Sequence, residues 1–145
     1  MLAATQGGIA FSNASVTLIH GMSRPIGAHF HVPHGLSNAM LLPTVTAWSV
    51  GSAPARYADC ARAMAMATER DSNERSCEKL VAGLRALCAD LAVPGPQAYG
   101  IDRALWASVL TLMAEQALAS GSPANNPRVP TLEDIVALYE TVWAA

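Results

Sequence analysis

No acidic residue occurs in the first 55 positions of this 145-residue chain, and the only Lys or Arg there is Arg24. All eleven Asp and Glu, and eight of the nine Lys and Arg, come later. An unpaired ion is costly to bury, so a stretch this poor in charge reads as chain that is covered or that lines a site. A secretory leader is argued against by the missing basic n-region. Gln6, Ser12, Asn13, Ser15, Thr17, His20 and several glycines interrupt the run of about 20 apolar residues that a membrane span needs. The cysteines, Cys60, Cys77 and Cys88, are odd in number and lack close-set pairs. That argues against a disulfide framework or a zinc–thiolate site and suits reduced thiols in a cytoplasmic protein. No Asn-Gly or Asp-Gly hairpin signal appears and β-branched clusters are few, so sheet structure is disfavoured. With a net charge of −2 and a pI near 6.0, the chain has no electrostatic reason to approach nucleic acid or an anionic membrane.

What is present is alanine- and leucine-rich and long enough for one domain with a single core. The fold class expected is all-α, a helical bundle over residues 1–145. Met1 to Asn13 reads as a helix with Ala3, Ala4, Gly7 and Gly8 on one side, small enough for close approach of a neighbour; a chain that begins inside such a helix looks truncated at its N-terminus. Ser15 to about Gly27 reads as a second helix with Val16, Ile19 and Met22 apolar and Pro25 disturbing its last turn. A third starts at Pro33-His34-Gly35 and reaches Leu42, where Pro43 bends or ends it, with Thr44 to Val50 as irregular chain or another turn. Pro54 fits a helix N1 position, with the helix running from Ala55 to Ala67. Leu80, Leu84, Leu87 and Leu91 form an amphipathic stripe on a helix from Glu74 to Leu91. Asp102 is the expected N-cap of a helix from Arg103 to Ala119, with Leu105, Val109, Leu112 and Met113 inward. Thr131 caps the last helix with Asp134 at N3, and Ile135, Leu138, Tyr139 and Val142 face the core.

All four histidines lie within the fifteen residues from His20 to His34. His20 and Arg24 are four apart and share a helix face. His34 opens the next helix, so two helices can bring His20 and His34 to one point. A catalytic metal of the zinc type takes three protein ligands and keeps an open position. His29 or His31 is a candidate third ligand, expected on the connector, where no spacing rule forces either inward. The competing reading is of core or surface histidines near a helix junction.

The runs Gly7-Gly-Ile-Ala-Phe11-Ser-Asn13, His20-Gly-Met-Ser-Arg24-Pro25-Ile-Gly27 and Pro33-His34-Gly35-Leu-Ser-Asn38-Ala-Met-Leu-Leu-Pro43 resemble the C-terminal helical domain of the iron-dependent (group III) alcohol dehydrogenases. The likeness continues through Ala55–Asp59, Tyr99–Asp102 and Asn126-Pro-Arg128. It implies a metal, Fe(II) or sometimes Zn(II), held by an Asp and three His in a cleft between an N-terminal nucleotide-binding domain and this helical one. His20 and His34 match two of those ligands. The other two ligands and the NAD(P)-binding loop are expected from an α/β domain absent from this chain. The substrates implied are small alcohols and aldehydes or ketones.

Arg24 stands where many family members have another His, close to the nicotinamide and often assigned to proton relay. Guanidinium stays protonated at neutral pH, so such a relay is in doubt here. An anionic substrate group, a cofactor phosphate or an interface salt bridge are the alternatives for it. Phe11 matches a pocket-wall position, with plain core as its alternative, and Ser122 matches a position near the nicotinamide, with a turn as its alternative. The readings carried forward are three. One is the metal-contributing half of an NAD(P)-dependent alcohol dehydrogenase, inactive alone; another is a non-catalytic helical domain that keeps its fold and homo-oligomer contacts. The third is a self-sufficient metal protein using His20, His34 and either His29 or His31.

Overall fold

A computed structural model describes residues 1–144. Among these described residues eight helices follow one another: α1 (Leu2–Ala14), α2 (Leu18–Phe30), α3 (His34–Ser49), α4 (Pro54–Ala63), α5 (Asn73–Asp90), the single turn α6 (Pro96–Tyr99), α7 (Arg103–Ala119) and α8 (Leu132–Ala144). Short 3₁₀ turns cover Val50–Ser52 and Ser122–Asn125, and no strand occurs among the described residues. The expected all-α bundle is the observed architecture.

Local chemistry sets several boundaries. The Asp102 carboxylate accepts from the Leu105 N–H at 2.8 Å and caps α7. Thr131 and Asp134 cap α8 reciprocally: the Asp134 N–H donates to Thr131 Oγ1 at 3.2 Å, and the Thr131 N–H donates to the Asp134 carboxylate at 3.0 Å. Ser72 accepts from the Arg75 N–H at the start of α5.

The two internal prolines behave differently from the sequence expectation. α2 continues through Pro25 to Phe30, and His31 closes it in the left-handed conformation, its N–H on the Gly27 carbonyl at 3.0 Å. Pro43 does not end α3, which runs on to Ser49. A proline at 43 has no N–H for the carbonyl four residues back, that of Ala39. The Cys88 thiol reaches that oxygen from α5 at 3.7 Å, and burial pushes the thiol pKa up, so Cys88 keeps the proton it donates. α4 stops at Ala63, earlier than expected, where the chain turns through Ala65 in the left-handed region.

One core joins α2, α3, α7 and α8 around Leu18, Met22, Ile26, Leu41, Val45, Trp106, Met113, Ile135 and Tyr139. Tyr139 is fully buried, and its hydroxyl donates to the Met22 carbonyl at 2.7 Å, tying α8 to α2. α4 and α5 pack on each other over a smaller cluster of Ala61, Ala67, Leu80 and Leu84. Ile135, Leu138, Tyr139 and Val142 face inward as expected. The α5 stripe is buried only at Leu80 and Leu84, whereas Leu87 and Leu91 are exposed. On α7 the buried face is Trp106, Leu110, Met113, Ala114 and Ala117, which leaves Leu105 and Leu112 in solvent. α1 buries none of its residues.

Candidate functional site

The site is built on the α2–α3 corner. Only His31, Val32 and Pro33 separate the two helices. Val32 is buried in the main core and anchors the connector. Gly27 has no Cβ, which would lie 3.3 Å from the Val32 carbonyl oxygen, so the connector runs close against the body of α2. This fold-back sets His34, the first residue of α3, beside Ser23 and His20.

The rings of His20 and His34 have centroids 5.2 Å apart and meet edge to face. The pairing expected from the sequence is therefore present, in the form of one half-buried imidazole, His20, and one exposed one, His34. Burial lowers the His20 pKa below 6.5, and repulsion from His34 and then from the Arg24 guanidinium lowers it further. His20 is therefore neutral at pH 7, the form in which imidazole binds metal. Neither of its ring nitrogens has a hydrogen-bond partner among the described residues.

His34 is held from both sides. Its Nδ1 faces Ser23 Oγ at 3.4 Å, and Ser23 Oγ in turn donates to the His20 carbonyl at 3.2 Å. Its Nε2 faces Asn38 Nδ2 at 3.1 Å, and the same amide donates to the His34 carbonyl at 3.0 Å. A metal on Nε2 would displace that Asn38 contact. Asn38 Oδ1 is buried without a partner. Two adjacent imidazoles, one kept neutral, fit a borderline metal ion such as iron or zinc.

The other candidates are placed as follows. Arg24 is exposed on α2, one turn after His20, and carries no ion pair among the described residues. His29 is drawn away from the pair, its Nε2 on Gln116 Oε1 of α7 at 3.0 Å. His31 is the exposed cap residue of α2. No group of three or more His, Cys, Asp or Glu suited to a metal occurs among the described residues. Ser122 is buried at the head of a 3₁₀ turn whose Pro123 packs on Gly21, the residue after His20. Phe11 is exposed on α1 and belongs to no core cluster. A cleft of about 520 Å³ lies between α5 and the α3–α4 junction, lined by Val50, Pro54, Cys77, Val81 and Arg85 among others, and includes none of these residues.

Sequence reasoning did not single out Ser23 or Gln116. Serine inside a histidine motif is an ordinary helix residue until the fold-back brings His34 to it. Asn38, four residues after His34, carried the available signal of an i to i+4 helix pair.

Comparisons with known proteins agree with this architecture. The lactaldehyde reductase of Escherichia coli K12 is 37% identical over 136 residues, covering 94% of this chain and 35% of the enzyme. The 1,3-propanediol dehydrogenase of Klebsiella pneumoniae is 31% identical over 136 residues, with 94% and 34% covered. The chain thus spans about a third of the length of these curated relatives. The iron-containing alcohol dehydrogenase of Thermococcus thioreducens superposes with a TM-score of 0.85 at 32% identity, over 99% of this chain and 36% of that one. A crystal structure of a 1,3-propanediol oxidoreductase gives 0.84 at 30% identity, over 93% of this chain and 35% of that one. The family profile described as "Fe-containing alcohol dehydrogenase family, C-terminal" matches residues 1–143, and the chain belongs to that family.

Proposed function

We propose that this chain supplies two imidazole ligands, His20 and His34, to the metal centre of an NAD(P)-dependent alcohol dehydrogenase acting on small alcohols and aldehydes or ketones. The observation that carries the reading is the ring pair itself, two imidazoles with centroids 5.2 Å apart at the α2–α3 corner. A bound Fe(II) or Zn(II) would act as a Lewis acid on the alcohol or carbonyl oxygen, easing hydride exchange with the nicotinamide. The chain's own part is to hold and orient. His20 offers an uncharged nitrogen, and His34 is clasped by Ser23 and Asn38. Arg24 places a permanent cation one turn from His20, suited to an anionic substrate group or a cofactor phosphate but not to proton relay. Ser122 and Phe11 are proposed for the nicotinamide side and the pocket wall. The remaining ligands and the dinucleotide site come, in this reading, from a nucleotide-binding domain outside these residues, and the isolated chain does not turn over.

Titration calorimetry with Zn(II) tests the reading. Binding by the 145-residue chain is expected, and it should be lost in both His20→Ala and His34→Ala. Affinity unchanged by either substitution would remove its basis, and NADH-linked aldehyde reduction by the chain alone would contradict its incompleteness.

The non-catalytic reading, a helical domain that keeps fold and self-association, draws on a separate observation: α1 is apolar, uncharged and without a buried residue.

A further inference from the structure

Ser23 lies one turn beyond His20 on α2 and is fully buried. Its hydroxyl has one proton, and the acceptor for it is the His20 carbonyl at 3.2 Å. What remains toward His34 Nδ1, at 3.4 Å, is a lone pair, so Nδ1 must be the donor.

The other side of the ring gives the same answer independently. Asn38 Nδ2 lies 3.0 Å from the His34 carbonyl, an obligate acceptor, which fixes the amide with its nitrogen there. That nitrogen faces His34 Nε2 at 3.1 Å, so Nε2 must accept. Only the neutral Nδ1–H tautomer satisfies both contacts. It is also the tautomer that leaves an Nε2 lone pair for a metal.

We propose that Ser23 is a positioning residue that holds His34 in the Nδ1–H tautomer, so that Nε2 is presented as a metal ligand. A buried hydroxyl, itself fixed to the backbone of the residue that carries the other imidazole, thereby couples the orientation of the two ligands. The division of labour with Asn38 follows from geometry. Asn38 contacts the nitrogen that a metal would take and must yield on binding, whereas Ser23 contacts the opposite nitrogen and can stay through the whole cycle. The inference rests on the proposed metal role of His34, and its test separates the two.

The first measurement needs no metal. Long-range ¹H–¹⁵N spectra of the intact chain at about pH 8, above the ordinary imidazole pKa, report which His34 nitrogen is protonated. The Nδ1–H form is expected in the unsubstituted chain. A predominantly Nε2–H ring would overturn the proposal without any variant. Ser23→Ala should move the ring toward Nε2–H and weaken Zn(II) binding by about tenfold or more, the usual consequence of removing the partner of a ligating imidazole.

Asn38→Ala is the complementary variant, and in it the Nδ1–H form should persist because Ser23 remains. Its loss there would assign the tautomer to Asn38 and overturn the role given to Ser23. If Zn(II) binding depends on His20 and His34 but Ser23→Ala changes neither tautomer nor affinity, the Ser23 role fails and the metal site stands. If the unsubstituted chain shows no histidine-dependent Zn(II) binding, the metal reading fails and takes this inference with it.

Discussion

Gly21 shows how closely the histidine site depends on one missing atom. A Cβ there would lie 2.9 Å from Pro123 Cγ and 3.0 Å from Cδ, and a proline ring cannot rotate aside. Gly21→Ala should therefore cost about 1–3 kcal/mol by overpacking, read as a lower urea midpoint. Gly35→Ala, with nothing within 4 Å of the added carbon, should stay within about 0.5 kcal/mol. Arg24 makes a second prediction at this scale. Its charge is one of three causes that lower the His20 pKa, after burial and His34. Arg24→Gln should raise that pKa toward 6.5 without reaching it, as followed by NMR titration of the His20 ring. The same shift has a stability sign. An unfolded His20 takes a proton at higher pH than the folded one, so stability falls as pH drops below 6.5 toward the folded value. Arg24→Gln should narrow that window. At this scale the sequence revealed the histidine pair but not its support, because Ser23 meets His34 only when the connector folds back along Gly27.

Among the elements, the α4–α5 connection shows a loop held by charge. The Asp71 carboxylate accepts from Lys79 Nζ at 2.7 and 2.8 Å, from the Thr68 N–H at 2.8 Å and from the Thr68 hydroxyl at 3.0 Å. Arg62 of α4 reaches across to the Asp71 carbonyl and the Asn73 side chain. The Lys79 hydrogen bonds, followed by those from Thr68, hold the Asp71 pKa down at about 2 against an ordinary 3.8. A carboxylate with a depressed folded pKa stabilises above its unfolded pKa, and that contribution is lost as pH falls through the folded value. Denaturation midpoints should thus decline between about pH 4 and pH 2, and Asp71→Asn should flatten this decline while lowering stability at neutral pH. Element ends marked by local chemistry were legible in the sequence, as at Asp102 and at Thr131 with Asp134. The run through Pro43 was not, because the thiol that meets the freed Ala39 carbonyl lies 49 residues away on α5. On α7, Met113 and the half-buried Val109 face the core as expected, whereas Leu105 and Leu112 do not, for a related reason. Leu105, Trp106, Val109, Leu110, Leu112 and Met113 offer two nearly equivalent apolar stripes, and only the aromatic cluster of Trp106 with Phe30, Tyr139 and Trp143 decides between them.

Across the whole molecule, the charge-poor N-terminal third divides into two parts that solve the same problem differently. α2 and α3 bury their uncharged faces in the main core, whereas α1 presents its own to solvent. Leu2 is 72%, Ile9 60% and Phe11 55% exposed. Leu2 and Ile9, seven residues apart, share one side of the helix, and Phe11 lies on the opposite side. A helix that is apolar on opposite sides and carries no charge has the pattern of one enclosed by other protein. Apolar area buried in an assembly contributes about 25 cal/mol per Å², enough for such a helix to drive association. The chain is therefore expected to self-associate at micromolar concentration in sedimentation velocity. Removal of residues 1–14 should leave a monomer whose unfolding free energy per chain stays within about 0.5 kcal/mol, since α1 buries nothing in the core. The deletion spares the anchor just beyond it, where Asn125 donates to Ser15 Oγ at 3.3 Å and to the Val16 carbonyl at 3.1 Å. Oligomers that persist without α1 would place the contact elsewhere on the bundle, and a full-length chain sedimenting only as monomer would show that α1 is stable uncovered.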